Sequence, residues 1–251
     1  MRVDLNCDLG ECLDGDAMSG ITEVMENITS ANIACGVHAG NMRTMRITVK
    51  LAKQFHVAIG AHPSLDDPSG FGRREIFIES FEIIELVKAQ LEALNSVAAS
   101  EGCTLRHVKP HGALYNMASR DRKYADPIAE AVADTNSALI LFGLSGSELI
   151  KAGKAAGLSV ASEVFADRTY EASGLLTPRS VDGSVIEDSQ QVVDRAVTMI
   201  RDGEVKAREG ERVVLDVDTI CLHGDTPAAA NLVTCVRAGL ESAGIQVRPV
   251  S

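Results

Sequence analysis

The sequence lacks long hydrophobic runs and any excess of basic residues. Its apolar stretches are short and interrupted, so none reaches the roughly 20 residues that a membrane-spanning helix needs. Residues 1–6 contain no apolar signal segment. With 24 Lys and Arg against 35 Asp and Glu, the formal net charge is −11, which opposes binding to nucleic acid or to an anionic membrane. These absences predict a soluble, cytoplasmic protein with no nucleic-acid or membrane partner.

Paired cysteines and a phosphate-binding loop are also missing. The six cysteines form no CxxC pair, which predicts free thiols in a reducing compartment. No G-x-x-x-x-G-K-[ST] segment occurs, so a nucleotide would need another kind of site or a partner protein. The chain does have 251 residues with 45% hydrophobic content, enough to bury one sizeable core. We therefore expect a single domain over residues 1–251.

Short apolar segments alternate along the chain with patterns typical of amphipathic helices. The predicted strands are 2–6, 32–35, 57–61, 106–109, 138–142, 159–164 and 219–222. Because parallel neighbours need a crossover, this alternation predicts a parallel sheet, and about seven repeats favour an α/β fold that is one closed or nearly closed β/α barrel. An open, doubly wound sheet is the alternative.

Three local signals refine this prediction. Segment 204–217 breaks the strand–helix rhythm and is interpreted as a hairpin insertion. Asp126 and Thr226 each precede a proline, a pattern typical of a helix N-cap followed by Pro at the first helical position. Asn41 is a further plausible N-cap.

Polar motifs follow the predicted strands, which is where active sites form in a β/α barrel. In the first motif, strand alternation puts Asp4, Asn6 and Asp8 on one face. Polar side chains that point into a barrel need a ligand or a hydrogen-bond network to satisfy them. Capping of a surface loop explains this motif equally well when it is taken alone.

The next two motifs carry histidine, cysteine and arginine. Glycines beside His38 let the backbone approach a ligand closely, although a lone histidine is more often structural. Cys35 is a candidate nucleophile but adjoins an apolar strand, so we interpret it as a small core residue. His62 ends a strand, and the Gly-rich stretch after it carries Arg73 and Arg74, which suit a carboxylate or phosphate. For Arg74 the favoured interpretation is a solvated turn.

The fourth motif has HxxxH spacing. On a helix, His107 and His111 could bind one metal ion, but on a strand they stand roughly 13 Å apart, which is too far. We therefore reject a two-histidine zinc site there. Lys109 and His111 instead share a face with His107, and a buried lysine beside histidine indicates anion stabilisation or a perturbed pKa.

The last two motifs contain Asp167 and Arg168, then His223 and Asp225. Taken alone, Asp167 and Arg168 are best interpreted as a surface ion pair, while His223 lies at a strand end. Five of the six histidines fall in or beside these post-strand loops. That concentration favours an active site at one end of the barrel.

The six motifs, in this order, resemble the LamB/YcsF family. The matching stretches are DLNCDLGE (4–11), SANIACGVHAG (30–40), GAHPS…GFGRR (60–74), VKPHGALYN (108–116), EVFADRTY…LTPR (163–179) and DTICLHGDTP (218–227). They span nearly the whole chain. The mild departures are Val37 and Asn41, where Phe and Asp are expected. The resemblance implies a β/α barrel of about seven strands, similar to the polysaccharide deacetylase fold.

The resemblance also implies an activity, namely ATP-dependent opening of 5-oxoproline to L-glutamate together with two partner subunits, B and C. It implies ATP with Mg²⁺, and we expect no bound transition metal. The expected catalytic residues are Asp8, His38, His62, Lys109, His111, Asp167 and His223, and the expected substrate-binding residues are Asn6, Arg73, Arg168 and Asp225.

Two other functions stay open. One is a metal-dependent amidohydrolase or deacetylase, because Asp8 and several histidines could bind zinc. The other is a non-catalytic subunit that binds 5-oxoproline and passes it to its partners.

Overall fold

The computed structural model shows a closed barrel of parallel strands; it describes residues 1–11, 15–223 and 229–250, without the side chains of 15–19, 223 and 229. The strands are β1 (Arg2–Leu9), β2 (Ser30–Ala34), β3 (Ala58–His62), β4 (His107–Val108), β5 (Ile140–Leu144), β6 (Ser159–Phe165), β7 (Glu204–Lys206), β8 (Arg212–Val214), β9 (Thr219–His223) and β10 (Gln246–Val247). The barrel consists of β1 to β6 and β9, because β9 pairs in parallel with both β6 and β1. The prediction of a barrel of about seven parallel strands is confirmed, and β10 adds a short pairing at the start of β1.

Helices cover the outside of the barrel. They are α1 (Gly15–Asn27), α2 (Met42–Gln54), α3 (Ser80–Ser100), α4 (Gly112–Arg120), α5 (Arg122–Asn136), α6 (Glu148–Ala155), α7 (Ser189–Asp202) and α8 (Ala229–Ser242), with a short 3-10 helix at Pro68–Gly70. In α2, Met45, Val49 and Ala52 recur at helical spacing and pack into the main core, between barrel and helices. The helix begins after Asn41, whose side chain accepts backbone N–H groups, so that N-cap prediction is confirmed. Among the described helices, none combines the length and apolarity required to cross a bilayer.

The interior of the barrel is largely polar. Alternation in β1 turns Asp4, Asn6 and Asp8 inward, while Leu5 and Cys7 pack outward into the main core. Asp4 accepts hydrogen bonds from hydroxyl groups of the neighbouring strands, and burial nevertheless raises its pKa to about 6. The polar face predicted for β1 is therefore satisfied by a network inside the barrel rather than by capping of a surface loop.

The insertion before the last barrel strand is a hairpin. Strands β7 and β8 pair antiparallel, with Val205 opposite Val213. This confirms the hairpin predicted for segment 204–217, where the alternation of strand and helix patterns is interrupted. Because β7 and β8 form a sheet of their own, the insertion leaves the parallel pairing of β6 with β9 intact.

The predicted helix start at Asp126 is wrong. Helix α5 begins at Arg122, and the N-cap is Asp121, whose carboxylate accepts the N–H of Lys123 at 2.9 Å. Pro127 therefore lies inside the helix, where it loses one backbone hydrogen bond but is buried against the core. Because Asp121 already caps the helix, Asp126 does not serve as its N-cap. The predicted start at Thr226 lies outside the described residues.

Close contact between β3 and β4 generates the first prediction. A Cβ atom at Gly60 would lie 2.0 Å from Nε2 of His107, whose ring is held by stacking on Phe142 with centroids 4.3 Å apart. We expect Gly60→Ala to lower the free energy of unfolding by about 2–3 kcal/mol, because a packed ring must move. Urea denaturation measures this.

The matched control is Gly20→Ala in α1, where a Cβ would meet nothing within 4 Å. It should raise stability by up to about 1 kcal/mol, because alanine favours helix. If Gly60→Ala were as stable as the unmodified chain, the close packing of His107 would be contradicted.

Candidate active site

A cavity of about 510 Å³ opens at the carboxyl ends of the barrel strands. Asp8 from β1, His62 from β3, and Lys109 and His111 after β4 all line it. Parallel strands bring their carboxyl ends to one edge of the barrel, so motifs far apart in sequence meet there. The structure thus brings four of the expected catalytic residues together.

The ammonium group of Lys109 is buried between two carboxylates. Its Nζ lies 2.9 Å from Oδ1 of Asp8 and 3.0 Å from Oε1 of Glu163. Burial alone would lower the pKa of Lys109, but attraction to these carboxylates outweighs it and holds that pKa well above its ordinary value. The cavity therefore contains a permanent positive charge in its wall.

Two asparagines hold this ion pair from below. Asn32 donates to Oδ1 of Asp8 at 2.8 Å and to Oδ1 of Asn6 at 2.7 Å. Asn6 in turn donates to Oε1 of Glu163 at 2.9 Å and to Oγ1 of Thr219 at 2.7 Å. Asn6 is fully buried and is not among the residues that line the cavity. Its side chain therefore helps to position the Asp8 carboxylate at the cavity wall, through Asn32, and the Glu163 carboxylate beneath the cavity.

Three histidine rings pack against one another. His111 stacks on His38 with centroids 3.9 Å apart and meets His62 edge to face at 4.8 Å. Nδ1 of His62 lies 2.7 Å from the backbone carbonyl of Lys109, and Nε2 of His111 lies 2.8 Å from that of Phe71. A carbonyl oxygen only accepts, so these contacts assign the N–H of each ring. The other nitrogens, Nε2 of His62 and Nδ1 of His111, lie 3.0 Å apart.

His38 lies behind His111 and does not line the cavity. Its Nε2 is 3.1 Å from Oε1 of Glu11, which does line it. Burial lowers the pKa of His38, and burial together with the neighbouring histidines lowers the pKa of His111 to about 2. Both rings are therefore neutral near pH 7. His38 holds Glu11 in place at the cavity wall.

Two glycines allow the loop after the 3-10 helix to close over His111. Gly112 has a φ of +56°, and a Cβ there would lie 2.5 Å from the carbonyl oxygen of Gly72. That oxygen accepts the N–H of Ala113 at 2.9 Å. This contact brings Phe71 against the start of α4. There the carbonyl oxygen of Phe71 accepts the N–H of His111.

The two arginines of the Gly-rich stretch have different positions. Arg73 lines the cavity at its exposed rim, with its guanidinium carbon 4.9 Å from the ring centre of Phe71. Arg74 pairs with Asp67 on the outer surface, where its side chain is 63% exposed. The interpretation of Arg74 as part of a solvated turn is therefore confirmed.

The interpretation of Asp167 and Arg168 as a surface ion pair is wrong, because both side chains are buried. Arg168 donates from Nε to the carbonyl of Ser184 at 3.1 Å and from Nη2 to that of Thr177 at 2.6 Å, and it lines the cavity. Asp167 is not among the lining residues. The chain after β6 folds back, with Arg168 bridged to Val185, and covers both side chains. Strand periodicity does not reveal such a covering loop.

Two expected site residues fall where the structure gives no side chain. The backbone of His223 pairs opposite Asp8 at the end of β9. The His223 side chain and all of Asp225 lie outside the described residues.

The site includes residues that sequence reasoning did not select. Glu11, Tyr115 and Arg179 line the cavity, and Glu163 lies beneath it. Each belongs to one of the polar motifs, so its place in the sequence already marked it as a candidate site residue. Alternation in β6 also puts Glu163 on an inner face. These residues were missed because motif position alone does not say which polar side chain turns toward the cavity.

The cysteines near the site are buried. Burial raises the pKa of Cys35 to about 12, which disfavours its thiolate and fits its interpretation as a core residue. Cys221 differs, because its Sγ faces the barrel interior 2.8 Å from Nζ of Lys109. All five described cysteines are free thiols.

Comparison with known proteins gives matches over the whole chain. The model of the LamB/YcsF family matches residues 3–251. The 5-oxoprolinase A subunit of Tolumonas auensis is 50% identical over 247 residues, which is 98% of each chain. That of Bacillus subtilis is 48% identical over 250 residues, covering 100% of this chain and 97% of the relative.

Solved structures agree with this family match. A lactam utilization protein from Thermus thermophilus has a TM-score of 0.92 at 42% identity, covering 100% of both chains. The polysaccharide deacetylase Bc1974 from Bacillus cereus has a TM-score of 0.54 at 10% identity, covering 100% of this chain and 93% of its own. At that identity the similarity concerns the fold alone, and it agrees with the expected deacetylase-like barrel.

The buried ion pair generates the second prediction. Lys109→Met should lower the free energy of unfolding by about 3–5 kcal/mol, because Asp8 and Glu163 lose their shared counter-charge. Adding Glu163→Gln removes one of those carboxylates, so the double variant should recover part of the loss. We expect a coupling of at least about 1 kcal/mol in a double-mutant cycle measured by urea unfolding.

Lys88→Met is the control, because Lys88 pairs with Asp134 on the surface and should cost less than about 1 kcal/mol. Strictly additive effects of Lys109→Met and Glu163→Gln would show that the two side chains do not interact.

Proposed function

The chain belongs to the LamB/YcsF family, and from that premise we propose that it acts as the A component of a 5-oxoprolinase, a cyclic amide hydrolase. In this proposal the complete enzyme opens 5-oxo-L-proline to L-glutamate and couples the reaction to ATP hydrolysis. The observation that carries the proposal is the convergence of Asp8, His62, Lys109 and His111 on one cavity. Relatives of that name match 98% or more of the chain, which supports it.

The chemical difficulty is the lactam carbonyl, which amide resonance makes a poor electrophile. ATP supplies a phosphoryl group that makes the carbonyl oxygen a leaving group and the carbon electrophilic. Water then attacks this carbon, and a base in the cavity takes its proton. The tetrahedral adduct expels the ring nitrogen, which takes up a proton as the C–N bond breaks. A second water hydrolyses the resulting acyl phosphate, which releases phosphate and the carboxylate of glutamate. Asp8, His62 and His111 line the cavity and are the candidate bases, whereas His38 lies behind them.

Cationic side chains around the cavity suit an anionic substrate. In this proposal Lys109 stabilises negative charge that develops on the reacting oxygen. Arg168 uses two of its N–H groups to bind backbone carbonyls and retains others for a carboxylate. Arg73 at the rim is the second candidate for binding that carboxylate.

We assign the partners as subunits B and C, and we place ATP with Mg²⁺ in the assembled complex. The chain has no Walker A loop, which argues against a standard phosphate cradle here. A single small lactam would occupy only part of the 510 Å³ cavity, and Arg120 and Arg179 add to its cationic lining.

We also assign the protein to the cytoplasm, since its described cysteines are free thiols.

Metal-dependent amide hydrolysis is the second candidate. One observation favours it: Nε2 of His62 and Nδ1 of His111 approach to 3.0 Å beside Asp8. Under this alternative the chain would hydrolyse an amide with a divalent ion and without ATP.

Dependence on partners is the third prediction. The purified chain, given 5-oxoproline, ATP and Mg²⁺, should release little or no glutamate alone and should do so when subunits B and C are added. Glutamate release is measured for each combination of subunits. Robust ATP-dependent release by the isolated chain would contradict the proposal. Release with a divalent ion and no ATP would favour the metal-dependent alternative, and full activity of B and C alone would indicate a non-catalytic role for this chain.

The role of Lys109 is the fourth prediction. In the full complex, Lys109→Met should reduce kcat by about a hundredfold or more, the scale seen when one transition-state donor is removed. Because this variant is expected to be less stable, turnover is compared at equal folded fraction and repeated with the more stable Lys109→Met/Glu163→Gln double variant.

Lys88→Met again serves as the control and should keep normal turnover. A well-folded Lys109→Met complex with a near-normal rate would restrict Lys109 to balancing the buried carboxylates.

A further inference from the structure

Two imidazole rings meet through the nitrogens that carry no proton when both rings are neutral. His62 gives its N–H to the carbonyl of Lys109, and His111 gives its N–H to the carbonyl of Phe71. In their neutral forms both rings therefore direct a lone pair at each other, with Nε2 of His62 and Nδ1 of His111 only 3.0 Å apart. Two acceptors at that distance repel unless a positively charged species lies between them.

Carboxylate oxygens join the same point. Oδ2 of Asp8 lies 3.3 Å from Nε2 of His62, while Oδ1 of Asp8 is held by Lys109 and Asn32. Oε1 of Glu11 lies 3.5 Å from Nδ1 of His111. Acceptor atoms from β1, β3 and the segments that follow β1 and β4 thus converge on one small volume at the cavity wall. The ligand atoms of Asp8, His62 and His111 all lie within 4.8 Å of one another.

The negative charges of the carboxylates around this volume also favour binding of a cation. Three carboxylates, of Asp8, Glu11 and Glu163, lie in or directly beneath it, and the ammonium of Lys109 contacts two of them. Among the groups named here, three carboxylates thus share one ammonium, a formal excess of two negative charges that equals the charge of a divalent metal ion. Buried charges without compensation are costly, so an ion of that charge would stabilise the site.

Contrary to the expectation of no bound transition metal, we propose that Asp8, His62 and His111 bind a divalent first-row transition metal ion, of which Zn²⁺ is the first candidate. Two imidazole nitrogens and one carboxylate form a donor set typical of such ions, and three protein ligands leave a coordination position open. Tetrahedral zinc with bonds of about 2.0–2.1 Å sets its ligand atoms about 3.3 Å apart. Two of the three separations, 3.0 Å between the histidine nitrogens and 3.3 Å between Asp8 and His62, match that spacing, and all three ligand atoms lie within 4.8 Å of one another.

Surrounding groups support the ligands as they do in metal proteins. The carbonyls of Lys109 and Phe71 hold each histidine in the tautomer that presents its bare nitrogen. Asn32 and Lys109 fix the orientation of the Asp8 carboxylate. When bound, such an ion can polarise a carbonyl or phosphoryl oxygen and lower the pKa of a bound water. The inference concerns binding and does not rest on the proposed 5-oxoprolinase activity, but with an ion bound Asp8, His62 and His111 would serve as its ligands and not as the general base.

The experiment measures metal directly on the full chain without an affinity tag. Protein stripped with a chelator is titrated with Zn²⁺ and with Co²⁺ by calorimetry, and bound metal is counted by elemental analysis after dialysis. We expect one ion per chain and a rise in Tm when the ion is added, because an ion that binds only the folded state stabilises it. The Co²⁺ form should show visible d–d bands without a thiolate charge-transfer band.

Variants locate the ion. His62→Gln and His111→Gln should each weaken binding by at least about a hundredfold, and Asp8→Asn should weaken it while keeping the side-chain shape. His56→Gln is the matched control, because His56 is exposed and lies outside the cluster, and it should bind like the unmodified chain. Far-UV circular dichroism in chelator establishes that each variant is folded.

Several results would overturn the proposal. One is the absence of stoichiometric binding to the unmodified chain, which would mean that a shared proton holds the two histidines. Others are unchanged affinity in folded His62→Gln and His111→Gln variants, or a thiolate-to-cobalt band that assigns the ion to cysteine.

Discussion

The arrangement of this site depends on one buried ammonium group, that of Lys109. It follows β4, yet it contacts Asp8 of β1 and Glu163 of β6, so a single side chain connects strands that are not neighbours in the barrel. Two carboxylates in this interior would be unstable without a counter-charge. The ion pair therefore makes a polar barrel interior possible and, in doing so, brings charge to the floor of the cavity.

The polar groups below Lys109 are hydrogen-bonded in a continuous series. Asn32 and Asn6 connect Asp8 to Glu163 and Thr219, and Thr219 continues to Asp4. Such a network satisfies buried polar atoms and restricts their rotamers. The cavity residues above it are consequently held in defined positions, which a reactive site requires.

Fold and chemistry are separable in this protein. The barrel is shared with a polysaccharide deacetylase at 10% identity, whereas relatives near 50% identity carry the name of the 5-oxoprolinase A component. A barrel of this kind supports different reactions through the side chains at its strand ends. Function must therefore be argued from groups such as Lys109 and the His62–His111 pair, whose nitrogens are oriented by backbone carbonyls.

The sequence by itself determined the barrel and the end at which the site lies. Alternating apolar segments and helical patterns specify a parallel sheet, and parallel strands bring every post-strand motif to one edge, so His62, Lys109 and His111 were predictable as neighbours. Only the tertiary structure decided which groups pair. Contacts between segments 16 to 54 residues apart decide three features: the partner of Lys109 in β6, the burial of Arg168 under a returning loop, and the tautomers of the histidines. Local periodicity carries no information about such contacts.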